Sequence, residues 1–213
     1  MYVCSMNQKT DELFVRVSCL FSRFGIKSLT MDDIARELGI SKKTLYQQVE
    51  DKRDLVNKVV EIDLRKREEH FAIIKNRSLN AIEEVFEVNK LVNRMIKETN
   101  PVREFDLQKY YPEIYDVVNQ RRRERMYRAM KENLQKGKKE GLYRKDMKEE
   151  IISKLYITRM ENMFHKDLET VIEFTSPTFI YEVFVYHIRG IASEKGIKFF
   201  EKNIYRLYPE EKS

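Results

Sequence analysis

From Ile40 to Asn100 the chain contains neither glycine nor proline, and apolar residues recur there every three or four positions. A stretch this long without a helix breaker, carrying a 3.6-residue apolar period, predicts helices and leaves little room for hairpins. The same period continues on both sides. Leu13, Phe14, Val17, Leu20, Phe21 and Phe24 form one stripe that stops at Gly25, and Met31, Ile34, Ala35 and Leu38 form a short one that stops at Gly39. Leu45, Tyr46 and Val49 follow, then Leu55, Val56, Val59 and Val60 leading into a charged run, then Ile82, Val85, Phe86, Val92, Met95 and Ile96. Pro101 and Pro112 bracket a short aromatic segment, and Pro112 suits the first turn of a long helix to about Gln135, with Gly137 and Gly141 expected to loosen the chain after it. Two further stripes span Ile151 to Met163 and Ile180 to Ile191, the second opened by Pro177. The expectation is an all-α protein of about nine helices, divided into an N-terminal helix-turn-helix domain (1–54) and a C-terminal helical bundle domain (55–213).

Composition narrows the class. The 213 residues are 42% apolar and 36% charged, with only 6 Gly and 4 Pro, which is neither disordered nor fibrous. No apolar run approaches the roughly 18 residues of a membrane-spanning helix, so no membrane partner is expected. The first residues lack the layout of a secretory leader, and Cys4 and Cys19 make neither a disulfide framework nor a metal set. A reduced, cytoplasmic protein without a metal or cofactor is the resulting expectation. There is no Gly-rich phosphate loop, HExxH, CxxC or Ser-x-x-Lys, and His70, His165 and His187 are far apart, so an enzyme is disfavoured.

Net charge is +6, a modest excess whose distribution matters more than its total. Residues 1–60 carry 10 Lys/Arg against 8 Asp/Glu, so a nucleic-acid site there must be local. Within Gly25 to Leu55, Thr30 stands three residues before Asp33, a capping-box spacing that starts a helix. Ala35 keeps that helix thin, Gly39 supplies a tight turn, and Ile40 and Leu45 fill the angle beyond it. Ser41 then caps a second short helix, leaving Lys42, Lys43, Thr44, Gln47 and Gln48 on its outer side. Lysines and hydroxyls at such a place bind phosphate, and glutamine reads adenine bidentately. An ordinary solvated helical hairpin is the competing reading.

Phe24-Gly25, Thr30 to Ala35, Gly39 to Tyr46, Asp51-Lys52 and Leu55 together resemble the DNA-binding domain of the tetracycline-repressor (TetR) family over about 45 residues. The resemblance implies a homodimer on a palindromic double-stranded DNA operator, as a sequence-specific regulator of transcription. It implies that Thr30 and Lys52 hold phosphates, and that Ser41, Lys42, Lys43, Thr44, Tyr46, Gln47 and Gln48 meet phosphates and base edges. Gln47-Gln48-Val49 departs from the family's usual aromatic or His residues there, which bears on base preference. Tyr46 has a competing reading, its ring packed against the first helix.

The C-terminal part would carry dimerisation and sensing. The resemblance implies that two long helices, about 147–165 and 177–195, pair with their copies, with Ile151, Leu155, Phe179, Val183, Tyr186, His187 and Gly190 at the interface. A small apolar or aromatic effector would release a repressor from its operator, lodged among Met95, Phe105, Tyr110, Tyr115, Met126, Tyr156, Met160 and His165. The same stripe also suits plain core, which would leave an architectural or protein-partnered DNA binder without sensing. The run Gln120 to Lys145 carries 11 Lys/Arg against 3 Asp/Glu. It reads as a solvated helix face, as a second nucleic-acid contact, or as a surface for anionic lipid.

Overall fold

The computed structural model describes residues 3–98, 100–164 and 177–206. Within them lie ten α-helices: α1 (Val3–Phe24), α2 (Met31–Leu38), α3 (Lys42–Tyr46), α4 (Lys52–Lys75), α5 (Ala81–Glu98), α6 (Pro101–Tyr110), α7 (Pro112–Lys139), α8 (Glu149–Phe164), α9 (Pro177–Ile191) and α10 (Glu194–Asn203). A 3₁₀ turn (Ile204–Arg206) follows α10, and one isolated backbone bridge joins Tyr143 to Ala192. The protein is all-α, as its apolar period predicts.

Two helices exceed the sequence reading. The bracketed aromatic segment is itself a helix, α6, because Asn100 caps it and Pro101 sits in its first turn. Ser193 caps α10 by accepting a hydrogen bond from the Gly196 N–H. Gly137 does not loosen α7. It lies inside the helix, with the buried Tyr143 ring occupying the space where a side chain would stand. Gly141, at φ 72°, makes the stop instead.

The chain forms two compact units, Met1–Ala72 with Glu98–Arg121 and Ile73–Lys97 with Arg122–Ser213. The expected boundary after residue 54 falls inside the first turn of α4, a helix that runs without a break to Lys75. In the first unit, Phe14, Val17 and Phe21 of α1 pack with Ile34, Leu38, Leu45, Leu55, Val56 and Val59. Arg103 of α6 donates to the Ser18 and Ser22 hydroxyls of α1 and pairs with Asp63 of α4. Asp106, buried on the same helix, accepts the Lys27 backbone N–H at 2.8 Å. The Asp106 bond fastens the loop that leads into α2, and the Arg103 bonds fasten α6 to α1 and α4.

The second unit has its own core: Ile82, Phe86, Leu134, Tyr143, Phe184, Ile188 and Phe200. Phe86, Phe184 and Phe200 form a tilted aromatic triad with centroids 5.4, 5.9 and 6.0 Å apart. Asn133 donates to the Ala81 carbonyl and accepts from the Tyr143 hydroxyl, so both buried polar groups are satisfied. Gly196 is also buried, its Cα facing the Leu142 carbonyl.

Candidate nucleic-acid interface

Local chemistry sets the angle of the two short helices. Thr30 has extended backbone, accepts the Asp33 N–H at 3.1 Å and donates its backbone N–H to the Asp33 carboxylate at 3.0 Å, a complete capping box. The Thr30 hydroxyl also donates to Asp33, and these bonds hold the Asp33 carboxyl below the usual carboxylate range. Replacing Thr30 with alanine should cost about 1 kcal/mol of stability by urea unfolding, the ordinary value of a lost N-cap.

Gly39 ends α2 in the left-handed region, φ 68°, where its N–H and that of Ile40 bond back to Arg36 and Ala35. No neighbouring atom lies within 4 Å of a built Cβ, so backbone conformation rather than space calls for glycine here. Ser41 then caps α3, accepting the Thr44 N–H at 3.0 Å and sharing a 2.7 Å hydrogen bond with the Thr44 hydroxyl. Leu45, fully buried, turns into the core and rolls the rest of α3 outward.

Ser41, Lys42, Lys43, Thr44, Tyr46, Gln47 and Gln48 are all exposed, so this part of the expected set is gathered on one surface. Their availability differs. Lys42 pairs with Asp32 at 2.7 Å, which raises its pKa. Lys43 has no carboxylate partner among the described residues. Tyr46 is 43% exposed, so its ring is not committed to the core. Gln47 forms the C-cap of α3 with its side chain free to solvent. The Gln48 carbonyl accepts from Lys58.

Thr30 and Lys52 lie at the edge of this surface. Lys52 is half-buried and donates to the Leu29 carbonyl. Burial, and then the neighbouring Lys27 ammonium, holds its pKa below the usual lysine range. Lys27 was not singled out in the sequence, since it precedes the cap and belongs to no motif. It is exposed, stacks on the Tyr110 ring at 4.8 Å and adds positive potential beside Lys52.

The effector set is not gathered in the same way. Phe105 and Tyr110 are 54% and 39% exposed, because α6 turns Asp106 and Leu107 inward and leaves its rings to the Lys109 and Lys27 ammoniums. Tyr115 is buried in the core of the first unit. Met95, Met126, Tyr156 and Met160 belong to the second unit and are half-buried, while His165 lies outside the described residues. An open groove of about 550 Å³ in that unit is bordered by Arg123, Tyr127, Arg128, Lys154, Ile157 and Thr158, none of them from the expected set.

The dimer set is mixed. Ile151, Leu155 and Tyr186 are 52%, 62% and 77% exposed, an apolar display on α8 and α9. Gly190 is exposed, Phe179 and Val183 are half-buried, and His187 is buried. Among the described residues, five of the nine basic residues of the run on α7 are paired: Arg121 with Glu61, Arg123 with Glu161, Lys131 with Glu150, Lys136 with Glu84 and Lys138 with Glu149. That pairing favours a solvated face over a polyanion site. No group of three or more potential metal ligands occurs among the described residues, and no described helix is long and apolar enough to cross a membrane.

A capped helix, a glycine turn and a second helix with a polar outer face define a helix-turn-helix protein, the class that docks its second helix in a major groove. Residues 19–59 match the family model described as bacterial regulatory proteins, tetR family. A transcriptional regulator of the helix-turn-helix type from Staphylococcus aureus strain USA300 is 32% identical over 108 residues, 46% of this chain and 58% of the relative. The chain thus spans little more than half the length of that relative. A TetR transcriptional regulator from Chloroflexus aurantiacus J-10-FL shares the fold with a TM-score of 0.66 at 16% identity, over 88% of this chain and 98% of that one. A Saccharomonospora viridis protein assigned as a transcriptional regulator, solved in complex with choline, aligns with a TM-score of 0.64 at 17% identity, over 88% and 100% of the two chains. Residues 19–59 thus carry the sequence pattern of the tetR-family DNA-binding region, and the described helices share the fold of solved tetR-type regulators.

Proposed function

We propose that two copies of this chain bind a palindromic operator in the cytoplasm, one α3 in each of two major grooves, and act as a repressor released by a small molecule. The exposed polar face of α3 over buried Leu45 carries the reading. Lys43, which has no carboxylate partner among the described residues, would meet phosphate together with Lys27, Lys52 and the capping hydroxyls of Thr30 and Ser41. Lys42 would reach DNA by exchanging Asp32 for a phosphate. Gln47 would read one base pair, with Thr44, Tyr46 and Gln48 beside it.

The apolar display of Ile151, Leu155 and Tyr186 supports a two-fold pairing through α8 and α9, which matches a palindrome with half-sites about 34 Å apart or a multiple of it. The choline complex of the Saccharomonospora viridis fold neighbour supports a small-molecule effector, which would sit in the second unit. That ligand acts only through a difference in affinity between the DNA-competent conformation and another. The bonds from Arg103 and Asp106 to α1, α4 and the Lys27 loop make α6 the natural lever, since moving it disturbs the loop into α2.

Fluorescence anisotropy on promoter-derived and random duplexes tests the contacts. Lys43→Ala should weaken both complexes alike and lower the salt slope by about one charge. Gln47→Ala should relax preference at one position per half-site by about 1 to 3 kcal/mol. Equal losses on both duplexes for Gln47→Ala would remove it from base reading.

A further inference from the structure

We infer that the second unit accepts a carboxylate-bearing small molecule between α8 and α9, with Arg159 as its counter-charge and His187 and Ser153 as hydrogen-bonding partners. This rests on the reading that the second unit holds an effector. Three buried side-chain polar atoms have no hydrogen-bond partner among the described residues: Ser153 Oγ, Arg159 Nε and His187 Nε2. All three fall on α8 and α9. Tyr156 connects them, its ring 4.9 Å from the His187 ring and 5.4 Å from the Arg159 guanidinium carbon, with Ser153 one turn before it on α8.

Buried polar groups are ordinarily satisfied, so two orphans beside one ring, with a third a turn away on α8, call for an occupant. A guanidinium with a buried Nε and no carboxylate partner among the described residues calls for a negative occupant. The Tyr156 face offers Arg159 a cation–π attraction but no charge. Water would serve Ser153 and His187 yet leave the guanidinium uncompensated. A second copy docked on the outside would not reach Ser153, which has no exposed surface, or His187, which is 9% exposed. A small carboxylate with an apolar or aromatic body would meet Arg159 and His187 on either side of the Tyr156 ring, with Ser153 a turn further along α8. Burial, reinforced by Arg159, keeps the His187 imidazole neutral, so it adds a directional hydrogen bond rather than a second charge.

The test uses the full chain with labelled histidine, in which the His187 ring resonances are assigned by their loss in His187→Leu. Benzoate, phenylacetate and octanoate are titrated beside benzamide, phenylacetamide and octanamide. At least one acid should shift the His187 resonances saturably, with its amide at least tenfold weaker. Arg159→Gln should weaken the acid at least tenfold, while Arg159→Lys, which keeps the charge, retains most of the affinity. The inference is overturned if no acid moves His187, if amides bind as well as acids, or if Arg159→Gln binds as tightly as the parent chain. Shifts that follow protein concentration alone also overturn it, because they assign the cluster to a second copy. Operator anisotropy runs in parallel: an acid that binds through Arg159 without changing DNA affinity upholds the site and overturns the effector reading.

Discussion

Replacing Gly196 with alanine should destabilise the second unit by about 3 kcal/mol or more, at the upper end of what overpacking a tight site costs. A Cβ there would lie 2.0 Å from the Leu142 carbonyl oxygen, and backbone cannot swing aside as a side-chain tip can. That oxygen accepts the Ser193 N–H at 2.9 Å, and the adjoining Arg144 N–H is bonded to Ile191 at 2.9 Å. Relieving the clash therefore disturbs both bonds that fasten the 142–144 segment to the junction of α9 and α10. Gly190→Ala is the matched control. Gly190 is helical with open space around a built Cβ, so alanine should add about 0.5 to 1 kcal/mol through helix propensity in dilute protein. Urea unfolding followed by circular dichroism reads both. Midpoints that move together would show that the Leu142 contact is not the cause.

The second large effect is a loss of stability in mild acid. Burial, and then Arg159, pushes the His187 pKa down from 6.5 to about 3. Below about pH 6.5 the unfolded chain takes up a proton that the folded chain refuses, so stability is full above that pH and falls as acid is added. Between about 6.5 and 3 each pH unit removes about 1.4 kcal/mol, so going from pH 7 to 4.5 costs about 2 to 3 kcal/mol from this group alone. His187→Leu removes the titration. Its unfolding free energy should fall less steeply over the same range, by close to one proton. Parallel slopes for the two proteins would place His187 in contact with water.

The helix-turn-helix was legible because its determinants are local. Thr30 with Asp33, Gly39 and Ser41 each act within four residues, and buried Leu45 follows from spacing alone. The exposure of Lys43 and Gln47 was legible for the same reason. What the sequence hid depends on contacts distant along the chain. Nothing near Phe105 announces that Asp106 will take the inward position to hold the Lys27 amide, which leaves the aromatic rings of α6 in solvent. Nothing near Lys42 announces Asp32 as its partner, nor Leu29 as that of Lys52. Tyr156 and His187 looked like members of two different sites, and only the packing of α8 on α9 stacks them.

The paired charges on α7 bear on a different question, how so long and polar a helix finds its alignment. Surface ion pairs stabilise by at most about 1 kcal/mol each, so they add little to the total. Their arrangement does discriminate between neighbouring alignments. Lys136 faces Glu84 at 2.7 Å, and four residues to either side of it stand Glu132 and Glu140. A slip of one helical turn in either direction would set glutamate against glutamate, a mismatch that repels where the native one attracts. The alternating signs thus work as a key cut for one position, rejecting near-miss alignments while the apolar contacts are still forming.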